Sequence, residues 1–595
     1  MDKKPSRIQY ILFLLKPFWK YGKAYVLATL LCSVVLQPAQ AYLSTILPKI
    51  AIDAVVNEEP RNKIIIIILS VALIMAAIGG IQTVLNSVNS NYAGGRIINK
   101  IKNDINRKAL YSDYKYYDDP AFYSQFAYAQ EHFPNQAFAV SYTVPLLLKD
   151  LVTLIAMGSI ILSADIALVF ISLLFIVISA FVDYVKIKPT ADYHKNAIEV
   201  WKPFDYALQA LKQKDNAAEL RSSDAGEKLL NMAEGSFESS RRAYKKFAQK
   251  TVPFTFLQGL LSPVQTAVIL AYIVLFIING DISKIGLYAS LTAAVTVLSG
   301  NLTGIFSNVN MLLNYTVQGE EIQKFFNAKS EIEPPAENKV SPPDEVFDLE
   351  LRNVSFGYDN STFSLNKINM NIKAGQRIAI VGENGAGKST LIKLLLRLYD
   401  VSDGEILING TNVKEYDVHK LRMKIGTAFQ NERILAMNLR ENLSIYHNAS
   451  DEKLIEVINK VGLEKICKNA DGLDAPISRE FKENGIVLSG GEAQRLAIAR
   501  LFTGDFGMLL LDEPSSALDP FAEANLMKNI LDIANASTTI MVAHRLSTVR
   551  DFDRIYYMEN GKIAESGTHD ELMALGGKYC KMFKTQGEKY QIDKA

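Results

Sequence analysis

Before about residue 325 the chain carries six apolar stretches of membrane-spanning length, and these limit the possible folds more than any other feature. They lie near 24–52, 64–90, 139–163, 165–185, 254–279 and 284–313. Each reaches about twenty residues, which an α-helix needs to cross a hydrocarbon layer of about 30 Å. Lipid offers no partner to backbone N–H and C=O groups, so such stretches must be helices. A water-soluble core of this size has no use for six of them.

Average composition hides a sharp division. The chain is 49% hydrophobic with a mean hydropathy of +0.08. Beyond about residue 347 the pattern becomes that of a soluble α/β domain. A net charge of +1 supplies no polycationic surface, so no nucleic-acid partner is expected. Cys32, Cys467 and Cys580 are far apart and form no C-x-x-C, which argues against a disulfide framework or a zinc site. Lys3, Lys4 and Arg7 before an apolar run ending in Ala39-Gln40-Ala41 imitate a signal peptide. The basic, aromatic lead-in continues through Lys23 and further spanning segments follow, so this run reads as the first membrane helix.

Cations set the orientation. Lys16, Lys20 and Lys23 precede the first span, Arg96, Lys100, Lys102, Arg107 and Lys108 follow the second, and Lys186, Lys188, Lys245 and Lys246 lie between the fourth and fifth. The alternate connections are short and carry few cations, so both termini are expected to face the cytosol. The long cytoplasmic connections are helical in pattern rather than turn-rich. A membrane part over 1–328 is therefore expected, with helices at about 24–52, 64–110, 139–163, 165–210, 215–279 and 284–325. Aromatic crossbars near Tyr116–Ser124 and Trp201–Leu211 are expected to dock on the soluble domain. Gln37, Gln40, Gln82, Asn86, Asn89, Asn91, Gln258, Gln265, Asn301, Asn308, Asn310 and Asn314 fall within spans. Amides are costly in lipid, so they should bond between helices or wall a polar cavity.

The Pro-rich stretch Glu331–Asp344 reads as a linker, here taken as 329–346, before a domain at 347–595. The apolar strand Arg377–Val381 leads into Gly382-Glu383-Asn384-Gly385-Ala386-Gly387-Lys388-Ser389, followed by Thr390, a complete phosphate-loop pattern. Its backbone N–H groups should hold phosphates, Lys388 should neutralise them, and Ser389 should bind magnesium. A second apolar strand, Met508–Leu511, ends in Asp512 and Glu513, at the carboxyl edge where parallel sheets bind ligands. Asp512 is placed to hold magnesium and Glu513 to act as general base. A third strand, Thr539–Ala543, delivers His544 to the same edge, where a γ-phosphate sensor is needed. Tyr358, read as preceding the first sheet, can stack on adenine. Between the two strands lies Leu488-Ser489-Gly490-Gly491-Glu492, in which Ser489 and Glu492 form a capping box whose helix N-terminus suits a second phosphate contact. One anion rarely needs two complete nests, so that contact is expected to serve a second copy of the domain.

In this order the motifs resemble those of ATP-binding cassette exporters of the half-transporter type, over essentially the whole chain. The resemblance implies a six-helix all-α membrane domain with long cytoplasmic extensions, joined to an α/β P-loop nucleotide-binding domain. Tyr358 matches the aromatic loop, Gly382–Ser389 Walker A, Gln430 the Q-loop, Leu488–Glu492 the signature, Leu509–Asp512 Walker B, Ser516–Asp519 the D-loop and His544 the switch. It further implies ATP and Mg²⁺ as ligands, with Gln430 on the metal beside Ser389 and Asp512, and Gln430 and His544 assisting Glu513. A second half-transporter is implied as partner, homodimeric or heterodimeric, with Asp519 near the composite site, membrane lipid around the helices and an exported substrate. Arg479-Glu480-Phe481-Lys482-Glu483 is similar to the pre-signature loop of bacterial peptide exporters, so a peptide or amphipathic small molecule is the expected cargo. With fewer than about thirty residues before the first span, no leader-peptide protease domain is expected. A soluble cassette protein acting on ribosomes or DNA is argued against by the six spans. A nucleotide-gated channel would share the whole architecture, and Glu513 favours turnover over gating.

Overall fold

The computed structural model describes residues 5–591, apart from 163–165, 279–284, 333–338, 359–363, 431–432, 469–470, 515–522, 524–526 and 531–536. The chain divides into two compact units, Met1–Leu110 with Ala121–Ala328, and Tyr111–Pro120 with Lys329–Ala595.

The first unit is helical throughout. It begins with α1 (Arg7–Tyr21), which the sequence reading had treated as lead-in rather than as an element. Ser6 caps it, and Gln9 closes a capping box. Tyr10, Leu14 and Phe18 are buried while Ile8, Leu12 and Trp19 are exposed, so both faces are apolar, as suits a helix lying at a membrane surface. Six long helices follow: α2 (Lys23–Val56), α3 (Arg61–Leu110), α4 (Pro120–Leu162), α5 (Ile166–Lys212), α6 (Ala225–Ile278) and α7 (Ile285–Asn327). Among the described residues, α2, α3, α4, α6 and α7 are long and apolar enough to cross a membrane. The apolar window of α3 is wholly unburied, which in water would be untenable and in lipid is expected. Widened π turns interrupt α2 at Leu31–Leu36 and α3 at Val88–Gly94. Beside them Cys32 donates to Asn86 Oδ1 at 3.6 Å and Asn89 donates to Thr29 Oγ1 at 3.2 Å. The expected crossbar at Trp201–Leu211 is corrected: these residues are the last turns of α5, and the chain reverses only at Gln213–Asp224, through a short helix at Ala217–Ser222. Trp201, Phe204 and Tyr206 reflect helix side chains there, not a turn.

The second unit has two sheets. β1 (Leu349–Phe356), β2 (Leu365–Ile372), β4 (Asp403–Ile408) and β5 (Thr411–Asn412) form an antiparallel sheet in the order β2-β1-β4-β5. β3 (Arg377–Gly382), β6 (Ile425–Ala428), β7 (Met508–Asp512), β8 (Thr538–Val542), β9 (Arg554–Glu559) and β10 (Lys562–Gly567) form the other, ordered β10-β9-β3-β8-β7-β6. All its pairs are parallel except the β9–β10 hairpin. Alternate residues of β3 serve opposite faces: Ile378 and Ile380 join one core, Ala379 and Val381 the other. β7 does the same with Met508 and Leu510 against Leu509 and Leu511. A sheet covered on both faces needs this continuous apolar run. The register sets Val542 opposite both Ile380 and Asp512, so β3, β8 and β7 end together.

The loop Tyr111–Pro120, expected to belong to the membrane part, packs within this second unit. Buried Asp113 accepts hydrogen bonds from the N–H groups of Glu331 and Ile332 at 2.8 and 3.0 Å. Tyr116 and Tyr117 of the expected crossbar fall in this loop, whereas Phe122 and Tyr123 lie in α4; the backbone partners of Asp113 at Glu331 and Ile332 are more than 200 residues away and invisible to pattern reading.

Leu510 is fully buried on β7. Leu510→Ala should destabilise the second unit by about 2–5 kcal/mol through lost transfer energy and a residual cavity. Thermal and chemical unfolding of the detergent-solubilised protein would measure it, and an unchanged midpoint would contradict the packing described.

Candidate nucleotide site and membrane cavity

β3 delivers the chain to a tight turn that only glycine can make. Gly382 has φ +148°, and a Cβ there would lie 2.1 Å from the Met558 carbonyl oxygen. Gly387, at φ +98°, stands as N-cap of α8 (Lys388–Leu395), where a Cβ would lie 2.8 Å from the Ser364 carbonyl. Both positions bring backbone against backbone, leaving N–H groups at the α8 N-terminus, as anion sites require. Lys388 folds back over the loop and donates to the carbonyls of Gly382 and Glu383 at 2.8 and 2.9 Å. Burial lowers the pKa of its ammonium, opposed by the charges of Glu513 and Asp512.

The β7 end supplies the facing carboxylates. Asp512 is buried, and its pKa is raised chiefly by that burial, while a hydrogen bond from Ser389 and the charge of Lys388 work against the rise. Its Oδ1 is buried without a hydrogen-bond partner. A buried carboxylate oxygen with no donor is costly, and beside the Ser389 hydroxyl it offers the hard oxygen ligands that a divalent cation such as Mg²⁺ selects. Glu513 follows with φ +53°, a left-handed conformation that is strained for this residue. Its backbone N–H bonds to the Val542 carbonyl at 3.1 Å. Its two carboxylate oxygens are taken separately: Gln430 Nε2 donates to Oε2 at 2.9 Å, and His544 Nε2 lies 2.5 Å from Oε1. Glu513 and His544 line a cavity of about 210 Å³ together with Met527 and Arg545.

Gln430, Glu513 and His544 thus meet at one sheet edge, and Lys388, Ser389 and Asp512 form the adjoining cluster. Tyr358 is corrected in position: it follows β1 rather than preceding the sheet. Half exposed, it contacts Thr390 through its hydroxyl at 3.2 Å and meets Tyr399 edge-on at 5.4 Å between ring centroids. Ser489 caps α9 (Gly490–Ala499), its N–H and hydroxyl bonding to Glu492 at 2.9 and 2.8 Å. Those bonds hold the Glu492 carboxyl below its usual pKa. Among the described residues, none of the hydrogen bonds of Ser489 and Glu492 reaches the phosphate-loop cluster. Gly490 faces open space. Asp519 lies outside the described residues, as does the rest of Ser516–Asp519.

Sequence reasoning missed Lys393 and Tyr399. Lys393 on α8 places its ammonium 5.3, 5.6 and 5.8 Å from the ring centroids of Tyr114, Tyr358 and Tyr399. Only tertiary structure gathers these rings, although a lysine on the helix after a phosphate loop could have been flagged.

The first unit holds a second candidate site, a cavity of about 370 Å³ between α5, α6 and α7. Asp183, Lys186 and Gln258 form its charged end. Lys186 Nζ lies 2.8 Å from Asp183 Oδ1 and also donates to Gln258, whose amide nitrogen reaches both Asp183 oxygens at 3.0 and 3.1 Å. Thr303, Ser307, Asn310 and Asn314 add polar groups from α7. Gln258 and Thr303 also border a smaller hollow that includes Phe175, Leu261 and Gln265. Gln265 accepts from Ser299 at 2.7 Å, and its buried amide nitrogen has no partner. The polar residues of the spans therefore divide. Gln258, Gln265, Asn310 and Asn314 wall cavities, whereas Asn86 and Asn89 bond between helices, and Asn308 donates to buried Asp150 at 3.0 Å. Asn301 bonds back to the Val297 carbonyl, Gln40 lies beside Gly79, Gln82 has a buried amide nitrogen without a partner, and the Asn91 side chain lies outside the described residues. Asp150 and Asp183 were missed, although acids inside apolar runs were a readable signal.

Residues 365–516 match the family model described as ABC transporter. The chain is 36% identical over 316 residues to the uncharacterized ABC transporter ATP-binding protein YwjA of Bacillus subtilis, covering 52% of this chain and 53% of that protein. It is 36% identical to the mitochondrial iron-sulfur clusters transporter ATM1 of Candida glabrata, over 50% of this chain and 41% of that protein. It is 32% identical to the beta-(1→2)glucan export ATP-binding/permease protein NdvA of Agrobacterium fabrum, over 59% and 61%. These matches span about half the length of the curated relatives. A solved structure of a bacterial Atm1-family ABC exporter with ATP bound superposes with a TM-score of 0.77 at 21% identity, covering 96% of this chain and 98% of that one. That likeness is one of fold, and it runs through both units.

Lys388→Ala removes the ammonium that folds over the phosphate loop. Nucleotide binding should weaken severely. Equilibrium binding of a fluorescent ATP analogue to the purified variant would check this, and near-normal affinity would remove Lys388 from the site.

Proposed function

We propose that this chain, an ABC transporter ATP-binding domain fused to a helical membrane region, is one half of an ATP-hydrolysing exporter. The observation that carries the reading is Glu513, held at the β7 end with one oxygen on Gln430 and the other on His544. A carboxylate fixed at both oxygens beside a phosphate loop is oriented to take a proton from a water molecule attacking the terminal phosphate. His544 orients that carboxylate and offers a second contact for the phosphate, while Gln430 links it to the β6 end. Lys388 neutralises the phosphate oxygens, and the N–H groups at the start of α8 orient them. Tyr358, half exposed, can turn from Thr390 to stack on adenine. Ser389 and Asp512, with Gln430 at the edge, would hold Mg²⁺, which when bound offsets phosphate charge.

The N-terminus of α9, with exposed Ser489 and Gly490 and half-buried Gly491 and Glu492, is built for an anion, yet among the described residues its side chains bond to none of the phosphate loop. It therefore serves a second copy, whose phosphate loop completes the site, with Asp519 beside it. A homodimer is the simplest such assembly. Closure of two ATP-binding units is the step that would turn the membrane cavity outward, and hydrolysis would reset it. The cation distribution supports a cytosolic place for both termini and the ATP-binding unit.

The cargo follows from the chemistry of the cavity. One end presents an acid, an amine and amides at Asp183, Lys186 and Gln258, and the adjoining hollow adds Phe175 and Leu261. This favours an amphipathic molecule or short peptide carrying polar or charged groups over a plain hydrocarbon. ATP-dependent uptake of such compounds into inside-out vesicles tests the reading; a current carried down its gradient without turnover would mark a channel instead.

Two variants separate the roles. Ser489→Arg should block the γ-phosphate of the partner copy while leaving binding at its own phosphate loop, so hydrolysis falls and ATP binding survives. Loss of both together would favour a site within one chain. Glu513→Gln keeps shape but removes the base, so the hydrolysis rate should drop by about 10²- to 10⁴-fold. ATP binding should persist, and the protein should accumulate as an ATP-bound dimer detectable by size and nucleotide content. Hydrolysis at the parental rate would show that Glu513 is not the base.

A further inference from the structure

The C-terminal helix α10 (Lys578–Gln591) reaches the loop that carries His544, and it does so through one side chain. Gln586 Nε2 donates to the His544 carbonyl at 2.7 Å, while Gln586 Oε1 accepts the N–H of Leu546 at 3.0 Å. The amide thus spans the backbone on both sides of Arg545, fixing the segment between β8 and the short helix Leu546–Val549. The start of α10 is itself anchored. Tyr579 is fully buried and its hydroxyl lies 2.8 Å from His569 Nδ1. Glu565 accepts from the N–H groups of Lys578 and Tyr579, and Lys578 pairs with Glu559 on β9. Gln586 is therefore a rigid strut from the β9–β10 edge to the switch loop, not a free surface amide.

We infer that Gln586 is a positioning residue for hydrolysis: by holding the His544 backbone it sets the angle at which the His544 ring meets Glu513. This rests on the assignment of Glu513 and His544 to ATP hydrolysis. The physical basis is the lever arm. A main-chain shift at His544 is carried by its side chain to Nε2, and the 2.5 Å approach to Glu513 Oε1 tolerates little displacement. Other restraints in this segment act beside the His544 carbonyl rather than on it: the Ala543 N–H donates to the Ile380 carbonyl, Thr548 donates to the Arg545 carbonyl, and the Arg545–Glu523 ion pair fixes the next side chain.

Gln586→Met preserves length and volume and removes both hydrogen bonds. In the full-length protein it should lower kcat for ATP by about 3- to 10-fold, the fold-change expected from losing one or two ordinary hydrogen bonds. KM for ATP and fluorescent ATP-analogue binding should stay at parental values, while the unfolding midpoint falls slightly because the Leu546 N–H loses its acceptor. Gln586→Glu keeps the acceptor for Leu546 but sets an oxygen against the His544 carbonyl, so it should not restore kcat. In a His544→Ala background Gln586→Met should have no further effect, because the ring it positions is gone. Unchanged kcat in Gln586→Met, or a full additional loss in the His544→Ala background, would overturn the inference. If the parental protein hydrolysed no ATP while Lys388→Ala still abolished nucleotide binding, the functional reading would fail instead.

Discussion

Everything chemical in the second unit depends on the parallel register that makes β3, β8 and β7 end side by side. Val542 is level with both Ile380 and Asp512. Given that register, the residue after each strand has no choice about where it goes. The β3 end must run into the phosphate loop, the β7 end must project Asp512 and Glu513, and the β8 end must project His544. Helices on one face and α8 with the antiparallel sheet on the other keep β3 and β7 dry, so the charged groups of the site gather at their carboxyl ends. The cost appears locally as an orphaned Asp512 oxygen, a desolvated Lys388 and a left-handed Glu513. Each is unfavourable by itself and is tolerated because the two packed faces over-determine the strand positions.

The same logic explains what could be read from the sequence. The β3 and β7 strands were legible because a doubly covered strand must be continuously apolar, and the glycines of the phosphate loop because backbone approach leaves no room for Cβ. The capping box at Ser489 was legible because both partners lie within one helical turn. Asp113, Lys393 and Gln586 were illegible for the opposite reason. Their partners are brought together by sheet order and helix docking, across separations that no local pattern encodes. The second crossbar was misplaced because Trp201, Phe204 and Tyr206 resemble a socket-filling cluster, yet an aromatic cluster is equally compatible with continued helix, and α5 runs on to Lys212.

In the first unit the governing constraint is the absence of water. Amides and acids within spans are costly in lipid, and several find side-chain partners, although the amide nitrogens of Gln82 and Gln265 do not. Asn86 and Asn89 bond to side chains of α2, Cys32 and Thr29, beside the π turns. Asp183, Lys186 and Gln258 instead satisfy one another around an open space. A self-satisfied cluster of this kind is stable without a further partner, whereas removing one member would leave a neighbouring charge uncompensated.

The loop Tyr111–Pro120 supplies the remaining step, since it joins α3 and α4 covalently while packing in the nucleotide-binding unit. Its grip combines two backbone hydrogen bonds to the buried Asp113 carboxylate, a bond from Tyr399 to Asp118, and the Lys393 ammonium shared among Tyr114, Tyr358 and Tyr399. Burial and the Asp118 charge push the Tyr399 hydroxyl far above the usual phenol range, so it remains a donor at any physiological pH. Hydrogen bonds to a charged group contribute about 1.5–3 kcal/mol each, and a cation over aromatic rings about 0.5–2 kcal/mol. Together these exceed thermal energy several-fold, so the loop moves with the sheet that holds it rather than sliding over it. Tyr358 belongs to this cage, so any rotation of its ring away from Thr390 must withdraw one of the three rings from Lys393.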